Sequence, residues 1–426
     1  MEKATIRCID CGREHRPGPI YRCECGGLLE VAPNMDYLIE NVSTGLFDSR
    51  LRLRDLPYGS GIWRFRELIH PLVSDGDIVS RPEGNTNLYR HKKITAYTGI
   101  EDICLKHEGE NPTGSFKDRG MTVGMSEAKR LGMKHVACAS TGNTSASMAA
   151  YASMAGLKPI VYVPDGEIAY GKLSQALAYG ARVIQVKGNF DDAMTLVQES
   201  STALGIYLLN SINPWRVEGQ KSIMFEMLQQ FSWESPDWVI VPAGNLGNTS
   251  AFGKGLKEME ELGFIDRVPK IAAIQAHGAN PFYDMWAGKR SELSQVHHPK
   301  TIATAIKIGN PVSWKKAMSS IEYTCGLVEE VTDQEIMDAK AMIDASGIGC
   351  EPASAASVAG AKKLREKGAI DKKERVVCII TGNILKDPDA TINYHFGKLE
   401  HISSTHANKP VVIEPTLENV RKVLKV

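Results

Sequence analysis

The sequence predicts an α/β protein with two doubly wound lobes of mostly parallel sheet, preceded by a small cysteine-rich knuckle. Between about residues 100 and 280, short apolar runs alternate with amphipathic stretches of helical period. Strands that are apolar along their whole length are buried on both faces, which is typical of parallel sheets covered by helices. Glycines stand where helices are expected to end in a left-handed C-cap, at Gly132, Gly156, Gly180 and Gly205.

The N-terminal segment 1–30 stands apart from this alternation. Cys8 and Cys11 form a C-x-x-C pair, and Cys23 and Cys25 form a C-x-C pair. Two short Cys-Gly turns suit a tetrahedral Zn–S4 knuckle that resembles a zinc ribbon, although the second pair departs from the usual C-x-x-C spacing. The alternatives are a knuckle that no longer holds metal and a redox-sensitive thiol cluster. All four thiols would be used as ligands, so we expect an accessory role.

The alternating region begins with the strand DICLKHEG and the loop NPTGSFKDRG, which leads into a helix. The strands HVACAS, PIVYVP and RVIQVKG follow, each with a helix after it. Beyond YLLNSINP come the helix VEGQKSIMFEMLQQF, the strand DWVIVPAG, a further helix and the strand KIAAIQAHG. Two helices precede the strand RVVCIITGN, and the tail contains one amphipathic helical segment, LENVRKVLKV.

Composition limits the class of partner. Lys+Arg and Asp+Glu each number 50, so no net charge attracts nucleic acid or anionic lipid. The least polar tract is interrupted by Gly, Asn, Ser and Thr and lacks the ~20 apolar residues of a membrane span. The N-terminus lacks the apolar core of a signal peptide, and most other cysteines lie singly in predicted strands. We therefore expect a cytoplasmic enzyme that acts on a small molecule.

Lys117 occupies an unusual place for a passive cation. It lies in the first turn of a predicted helix, where the macrodipole repels a positive charge by ~0.3–1 kcal/mol. A solvated salt bridge with Asp118 or Glu108 is one interpretation. In the other, the helix terminus and a dry pocket favour the neutral amine, which attacks a carbonyl to form a Schiff base.

Two loops at predicted strand ends are rich in Gly, Asn, Ser and Thr. STGNT spans 140–144 and PAGNLGN spans 242–248, and each precedes a helix. Either could be only a tight turn, but backbone N–H groups at such helix starts bind carboxylate or phosphate. The sequence contains no Walker loop, G-x-G-x-x-G or G-x-S-x-G motif. A Schiff-base lysine and two anion sites meet the requirements of a pyridoxal 5'-phosphate enzyme.

These motifs resemble the threonine synthases, a family in the tryptophan-synthase-β-like, fold type II group of pyridoxal phosphate enzymes. The matching segments are HEGENPTGSFKDRG, STGNTSAS, NSINPWRVEGQK, PAGNLGN and KIGNPVSW, of which NSINPWRVEGQK is the more specific. The resemblance covers about residues 63–387 and extends to the knuckle. It implies a homodimer, a large cofactor-binding lobe at 31–117 and 206–426, and a smaller mobile lobe at 118–205.

The resemblance also implies a role for each matched position. Lys117 would form the Schiff base and move protons, Asn143 would bond to the cofactor's phenolic oxygen, and Thr381 would face the pyridine nitrogen. The cofactor phosphate would be held by a loop of five residues, Gly244, Asn245, Leu246, Gly247 and Asn248. The substrate carboxylate or phosphate would meet Ser140, Thr141 and Thr144. The substrate phosphate would be bound by Asn210, Ser211 and Arg216.

Arg216 suits phosphate because its planar fork pairs bidentately with phosphate oxygens; the alternative is a surface salt bridge with Glu218. Two segments depart from the family. Asn87 replaces Pro in the usual EGNTPL, which predicts a different closure of that loop. Asn383 and Ile384 interrupt the TGxGLKD pattern near the pyridine, so the packing under the ring is less defined than Thr381 itself.

The implied reaction converts O-phospho-L-homoserine and water to L-threonine and phosphate. One alternative is a serine/threonine dehydratase or a β-replacement enzyme on the same fold, such as a cysteate-synthase-like enzyme. A non-enzyme alternative is a metabolite-sensing paralogue whose knuckle contacts a partner. Retention of Lys117, Asn143 and the GNLGN loop in one chain argues against the sensor, and the neutral net charge argues against a nucleic-acid partner.

Overall fold

The computed structural model of the chain describes residues 3–166, 170–188 and 190–425. It begins with β1 (Ala4–Cys8), β2 (Glu14–His15) and β3 (Leu29–Pro33). These strands form an antiparallel sheet in the order β2-β1-β3. Ala4, Ile6 and Cys8 are buried and alternate with more exposed residues, so one face of this small sheet packs on the rest of the molecule.

A helical segment links this sheet to the two lobes. It comprises α1 (Met35–Asn41), α2 (Thr44–Arg50), a 3-10 turn at Trp63–Phe65 and α3 (Arg66–Ile69). Phe47, Trp63 and Phe65 are fully buried, and the ring centres of the two phenylalanines lie 5.1 Å apart. The chain then forms β4 (Leu88–Tyr89), α4 (Lys92–Thr98) and β5 (Asp102–His107).

The smaller lobe is a four-stranded parallel sheet with helices on both faces. Its elements are α5 (Lys117–Arg130), β6 (His135–Ala139), α6 (Asn143–Ala155), β7 (Lys158–Pro164), α7 (Tyr170–Ala178), β8 (Arg182–Val186), α8 (Phe190–Leu204) and β9 (Tyr207–Leu208). The strand order is β8-β7-β6-β9. Since Tyr207 pairs with Val136, the sheet of this lobe extends past the predicted boundary at residue 205.

The larger lobe carries a six-stranded sheet that includes β4 and β5. Its other elements are α9 (Pro214–Gln230), β10 (Trp238–Pro242), α10 (Gly247–Glu261), β11 (Lys270–Ala276), α11 (Pro281–Ala287), α12 (Trp314–Tyr323), β12 (Leu327–Val331), α13 (Asp333–Asp344), α14 (Pro352–Glu366), β13 (Arg375–Ile380), α15 (Pro388–Phe396) and α16 (Leu417–Leu424). The strand order is β12-β11-β10-β13-β5-β4, and only the edge pair β4–β5 is antiparallel.

The apolar strands and the glycines explain why the chain forms these layers. All five residues of β10 are buried, as expected for a strand covered on both faces. The four glycines predicted to cap helices all have φ between 63° and 80°. Such angles are in the left-handed region that favours glycine. The predicted α/β class with two parallel sheets is confirmed, and so is the amphipathic helix of the tail.

Three neighbouring strands place the candidate site. β13 pairs with β5 on one side and with β10 on the other, all in parallel. Their carboxyl ends therefore meet at one edge of the larger sheet, where ligands bind in open α/β sheets. Adjacent strands lie about 4.8 Å apart, so the loops after β5 and β10 start roughly 10 Å from each other. Across the described ranges, no helix has the length and apolar character to cross a membrane.

Candidate active site

Lys117 is the first residue of α5 and is partly buried. Its Nζ lies 4.4 Å from the centre of the Phe116 ring. Burial and the nearby Arg216 cation lower the pKa of Lys117 to about 7, although the Glu351 carboxylate acts in the opposite direction. A large fraction of this amine is therefore neutral near pH 7, which is the form that attacks a carbonyl.

The carboxylates that could have neutralised Lys117 are engaged elsewhere. Asp118 accepts hydrogen bonds from the Thr113 amide at 2.7 Å, the Thr113 hydroxyl at 2.6 Å and the Ser147 hydroxyl at 2.5 Å. Glu108 pairs with the buried Arg119, with its Oε2 2.6 Å from the guanidinium Nε. The salt-bridge interpretation of Lys117 therefore lacks its two predicted partners.

The loop that leads into Lys117 is joined by backbone hydrogen bonds to the loop that carries Thr381. The Phe116 amide donates to the Thr381 carbonyl at 3.0 Å, and the Asn383 amide donates to the Gly114 carbonyl at 2.9 Å. The Thr381 hydroxyl lies at the end of β13, 2.9 Å from the Ser354 hydroxyl. These bonds hold Thr381 beside the start of α5. A residue that is expected to face a ring attached to Lys117 must lie in this place.

The loop Gly244, Asn245, Leu246, Gly247 and Asn248 connects β10 to α10. Leu246 has a φ of 63° and is the N-cap of α10, which has no side-chain capping bond. The first N–H groups of a helix have no intrahelical partner, so this terminus suits a phosphate. Val312 and Ser313 in the KIGNPVSW segment donate backbone N–H groups to Asn245 at 3.3 Å, which fixes the loop.

Thr249 extends this phosphate-binding loop, and the sequence analysis did not identify it. Its hydroxyl is buried without a hydrogen-bond partner in the described part of the chain. An unpaired buried hydroxyl is unfavourable unless a ligand supplies the partner, so Thr249 fits a bound phosphate oxygen. The available sequence signal was its position, directly after GNLGN and within the first turn of the predicted helix.

The contacts of Gln220 show that the loop at 244–248 lies close to α5, the helix that begins with Lys117. Its side chain extends from α9 between α5 and α10. The Gln220 Nε2 lies 3.3 Å from the position that a Cβ on Gly120 would occupy. The Gln220 Oε1 lies 3.3 Å from the position that a Cβ on Gly247 would occupy. One glutamine amide therefore spans the gap between the first turns of the two helices.

Arg216 is the clearest indication of an anionic ligand. The side chain is 2% exposed, and its Nη1 donates to the Leu209 carbonyl at 2.9 Å. Its Nε and Nη2 have no hydrogen-bond partner among residues 3–166, 170–188 and 190–425. Burial lowers the pKa of Arg216 to about 10, so the guanidinium stays charged at neutral pH.

The predicted alternative partner of Arg216 is occupied. Glu218 instead bonds to Lys254 and lies 2.5 Å from the Lys221 ammonium. A buried charge with unpaired donors is strongly unfavourable in the absence of a counter-ion. The geometry therefore favours a phosphate ligand at Arg216 over a structural salt bridge.

The STGNT loop joins β6 to α6 and faces the cleft between the lobes. Ser140, Thr141, Asn143 and Thr144 are all partly exposed there. The N-cap of α6 is Gly142, and no side chain caps this helix terminus. This terminus is a second place where backbone N–H groups are available to an anion.

Asn210 and Ser211 lie in the turn that precedes α9, next to β6. The Asn210 amide bonds to both backbone groups of Ala139, accepting from the nitrogen at 3.0 Å and donating to the oxygen at 3.1 Å. Asn210 thus has a structural role that the sequence analysis did not predict. A phosphate contact from Asn210 would have to use its second N–H.

The four cysteines of the knuckle lie together. Their sulfur atoms are all within 4.8 Å of one another, with Cys8–Cys25 at 3.5 Å and Cys11–Cys23 at 3.7 Å. A tetrahedral zinc site with Zn–S bonds of about 2.3 Å has sulfur–sulfur distances of about 3.8 Å. The cluster therefore fits the zinc ion that the spacing predicted.

Asn87, which departs from the family pattern, is bonded to Glu110. Its backbone N–H donates to the Glu110 carboxylate at 2.7 Å, and its side-chain amide donates to both carboxylate oxygens. Proline could provide neither donor. The substitution thus anchors the loop at Asn87 to the turn that precedes the lysine loop.

Comparison with known proteins agrees with this geometry. Residues 79–382 match the family model described as pyridoxal-phosphate dependent enzyme. Threonine synthase of Methanocaldococcus jannaschii is 48% identical over 421 residues, covering 98% of this chain and 99% of that protein. Threonine synthase of Methanosarcina acetivorans is 43% identical over 422 residues, covering 98% of each.

A solved structure extends the comparison to the whole fold. Threonine synthase from Escherichia coli superposes with a TM-score of 0.69 at 17% identity, covering 99% of both chains. At that identity the match establishes the fold alone, which agrees with the two parallel sheets. The sequence relatives carry the stronger statement: this chain belongs to the threonine synthase family of pyridoxal-phosphate-dependent enzymes.

Proposed function

We propose that the chain converts O-phospho-L-homoserine and water to L-threonine and phosphate, in threonine biosynthesis. The observation that carries this proposal is the buried Arg216 guanidinium, which has two unpaired nitrogens and lies within electrostatic reach of Lys117. A phosphorylated amino acid supplies the anion that this cation lacks.

The residues present fit pyridoxal 5'-phosphate. Lys117 would hold the cofactor covalently, Asn143 and Thr381 would contact its ring, and the first turn of α10 with Thr249 would bind its phosphate. When bound, the cofactor supplies an imine carbon and an electron sink for the carbanion at the substrate Cα. Thr381 would offer the ring nitrogen a neutral hydroxyl, which does not strongly favour protonation of that nitrogen.

Lys117 would carry the proton transfers. Its free amine would accept the proton from the substrate Cα and return it later in the reaction. A general base is most effective when its pKa lies near the working pH, and the pKa of Lys117 is about 7. Both proposed roles of Lys117, covalent attachment and proton transfer, thus depend on the burial that removes water from its amine.

The substrate would be oriented by groups from both lobes. Arg216, with Ser211 and the second N–H of Asn210, would bind the phosphate. Ser140, Thr141, Thr144 and the start of α6 would bind the carboxylate. A second proton would leave Cβ and one would be returned at Cγ, and we assign both transfers to Lys117. The phosphate would leave Cγ with the C–O bonding electrons, stay bound to Arg216 and accept a proton from the water that adds at Cβ.

Closure of the cleft would protect these steps. We infer that the smaller lobe, 118–205 with β9, moves toward the larger lobe when substrate binds. Water that entered early would divert the reaction to 2-oxobutyrate, so exclusion of solvent is part of the function. The STGNT loop of the smaller lobe meets the larger lobe through the Asn143–Glu351 hydrogen bond, and this contact across the cleft supports the motion.

We further propose a cytoplasmic homodimer. All nine cysteines are free thiols, which suits a reducing compartment. The dimer is inferred from the resemblance to the family. Light scattering coupled to gel filtration tests it, and a monomeric mass at micromolar concentration would contradict it.

Replacement of Arg216 tests the reaction. We expect Arg216→Leu to lower kcat/KM for O-phospho-L-homoserine by roughly 10- to 100-fold, because a charged hydrogen bond contributes about 1.5–3 kcal/mol. Phosphate release and chromatographic identification of threonine are the measurements. Arg290→Leu, at an exposed position, is the matched control and should behave like the unmodified enzyme.

The same variant distinguishes the dehydratase alternative. A dehydratase does not bind phosphate, so its turnover of serine or threonine would survive the loss of Arg216. Normal turnover of phosphohomoserine by Arg216→Leu, with the visible cofactor band retained, would exclude the proposed role of Arg216.

A further inference from the structure

Glu351 is a buried acid in the site to which the proposed reaction assigns no role. It is 5% exposed and precedes α14, where its backbone N–H donates to the Gly382 carbonyl at 3.1 Å. As the N-cap residue it makes no side-chain capping bond. Instead, both carboxylate oxygens accept from the Asn143 amide nitrogen at 3.1 Å.

This hydrogen bond crosses the cleft. Asn143 is the first residue of α6 in the smaller lobe, whereas Glu351 belongs to the larger lobe. The two residues are 208 positions apart in sequence. The contact therefore fixes the Asn143 amide from the opposite lobe, at the place where the cofactor ring is expected.

The backbone around Glu351 leaves the carboxyl little freedom. A Cβ on Gly382 would lie 2.3 Å from the Glu351 Oε1, so only glycine fits beneath it. Ser354, one turn along α14, accepts from the Gly382 amide at 2.8 Å through its hydroxyl. The loop that carries Thr381 and the start of α14 thus hold the acid in one position.

The charges around Glu351 come from several elements. Burial raises the pKa of Glu351, and the Asn143 hydrogen bond opposes this shift. The cations Lys386, which follows β13, and Lys117, at the start of α5, also lower that pKa, whereas the neighbouring Asp387 raises it. Lys386 donates to the Gln175 side chain. Burial lowers the pKa of Lys386, and the carboxylates of Glu351 and Asp118 act in the opposite direction. Among the described residues, no cation lies within salt-bridge distance of Glu351, so its charge acts on the lysines across a gap.

Burying a carboxyl against a neutral amide is unfavourable in itself. The arrangement is understandable if the acid orients Asn143. The side-chain amide nitrogen of Asn143 carries two N–H bonds. When one of them points to Glu351, the direction of the other is fixed as well. That second N–H is available to the phenolic oxygen of the cofactor.

We propose that Glu351 is a positioning residue for this reaction: it fixes the Asn143 amide across the cleft and places a carboxyl group within electrostatic reach of Lys117 and Lys386. Loss of the carboxyl should disturb ring binding through Asn143. Loss of its charge alone should change the protonation equilibrium at the imine nitrogen of Lys117. This inference rests on the proposed use of the cofactor.

Two substitutions separate orientation from charge. Glu351→Gln retains an acceptor for Asn143, so we expect cofactor affinity within about threefold of the unmodified holoenzyme. Glu351→Ala removes the acceptor, and we expect about tenfold weaker binding of pyridoxal phosphate, since one hydrogen bond contributes about 1 kcal/mol or slightly more. In an Asn143→Ala background, Glu351→Ala should cause no further loss of affinity.

The charge is tested by titration of the visible absorption band of each holoenzyme. A carboxylate favours the cationic form of Lys117, so Glu351→Gln should move the midpoint to lower pH, by about half a unit or more for a nearby opposite charge. Glu366→Gln is the matched control, because it lies on the same helix, α14, at an exposed position.

The outcomes are distinguishable. An unchanged midpoint in Glu351→Gln, together with unchanged affinity in Glu351→Ala, would overturn the positioning role. A midpoint that moved equally in the Glu366 control would do the same. Absence of any visible band in the unmodified protein would instead contradict the proposed use of the cofactor.

Discussion

Lys117 and Arg216 are two cations in one cleft, and each alters what the other can do. Burial and the Arg216 charge both favour the neutral form of Lys117 and so hold its pKa near 7. Arg216 remains charged because guanidinium has a much higher intrinsic pKa. The pair therefore supplies a nucleophile and an anion receptor at the same pH, although both are nitrogen bases.

This difference predicts how capture of the cofactor depends on pH. Because the neutral amine attacks, the rate of Schiff-base formation by the apoprotein should rise with pH, with a midpoint near 7. Stopped-flow absorbance of added pyridoxal phosphate measures it. Lys117→Ala should abolish the visible band, whereas replacement of the exposed Lys158 with Ala should leave both rate and midpoint unchanged. A persistent band in Lys117→Ala would show that another residue binds the cofactor.

At the scale of elements, the site depends on the close packing of α5 against α9. Arg119 on α5 donates to Glu226 on α9 at 2.8 Å, in a region where both side chains are buried. Glu226 also accepts from Lys106 on β5 at 2.6 Å, so strand and helices share one buried carboxylate. The first turn of α5, which carries Lys117, is therefore held by packing and by charge.

Gly219 tests this packing. A Cβ there would lie 2.0 Å from the Arg119 carbonyl oxygen, so Gly219→Ala should push the two helices apart. We expect a loss of about 1–3 kcal/mol, a Tm lower by several degrees and weaker retention of the cofactor, because Lys117 would shift with α5.

The matched control for Gly219→Ala is Gly45→Ala, at an exposed position of α2. Within the described residues and apart from the helix's own backbone, the one atom within 4 Å of a new Cβ there is the Ser43 hydroxyl oxygen, at 3.9 Å. This control should be neutral or slightly stabilising, since alanine favours helix. Differential scanning fluorimetry measures both variants. Equal melting temperatures would show that α5 and α9 can separate without loss.

At the scale of the whole molecule, the knuckle contacts both lobes. The Tyr21 hydroxyl accepts from the Leu208 amide of the smaller lobe at 2.7 Å. On the other side, Lys315 of α12 donates to Asp10 at 2.9 Å, and Lys316 donates to the Leu29 carbonyl at 2.5 Å. The segment predicted to be an accessory thus lies where it can limit the relative motion of the lobes.

Removal of metal should therefore loosen the whole molecule. We expect about one zinc per chain by mass spectrometry, and its loss in Cys11→Ser. That variant should show a lower Tm and faster hydrogen exchange at Leu208. The exposed Cys325→Ser is the control, since it lies outside the cluster. Unchanged exchange at Leu208 after zinc loss would contradict the bridging role.

Local sequence preferences predicted much of the protein. Apolar periodicity identified the strands, and the four capping glycines marked the helix ends, because both follow from short-range backbone and burial rules. The motif at Lys117 predicted the cofactor. A helix start disfavours a passive cation, whereas a neutral lysine beside glycine-rich, anion-binding loops suits a Schiff base with pyridoxal phosphate.

The tertiary structure decided which polar groups find partners. Glu218 was a plausible partner for Arg216 from the sequence, but the fold directs it to Lys221 and Lys254 and leaves Arg216 free for a ligand. It also brings Glu351 to Asn143 and places β9 in the smaller sheet. The hydrogen-bond partner of a side chain is often a residue far away in the sequence, which only the packing of the fold brings close. Local periodicity in the sequence therefore cannot predict that partner.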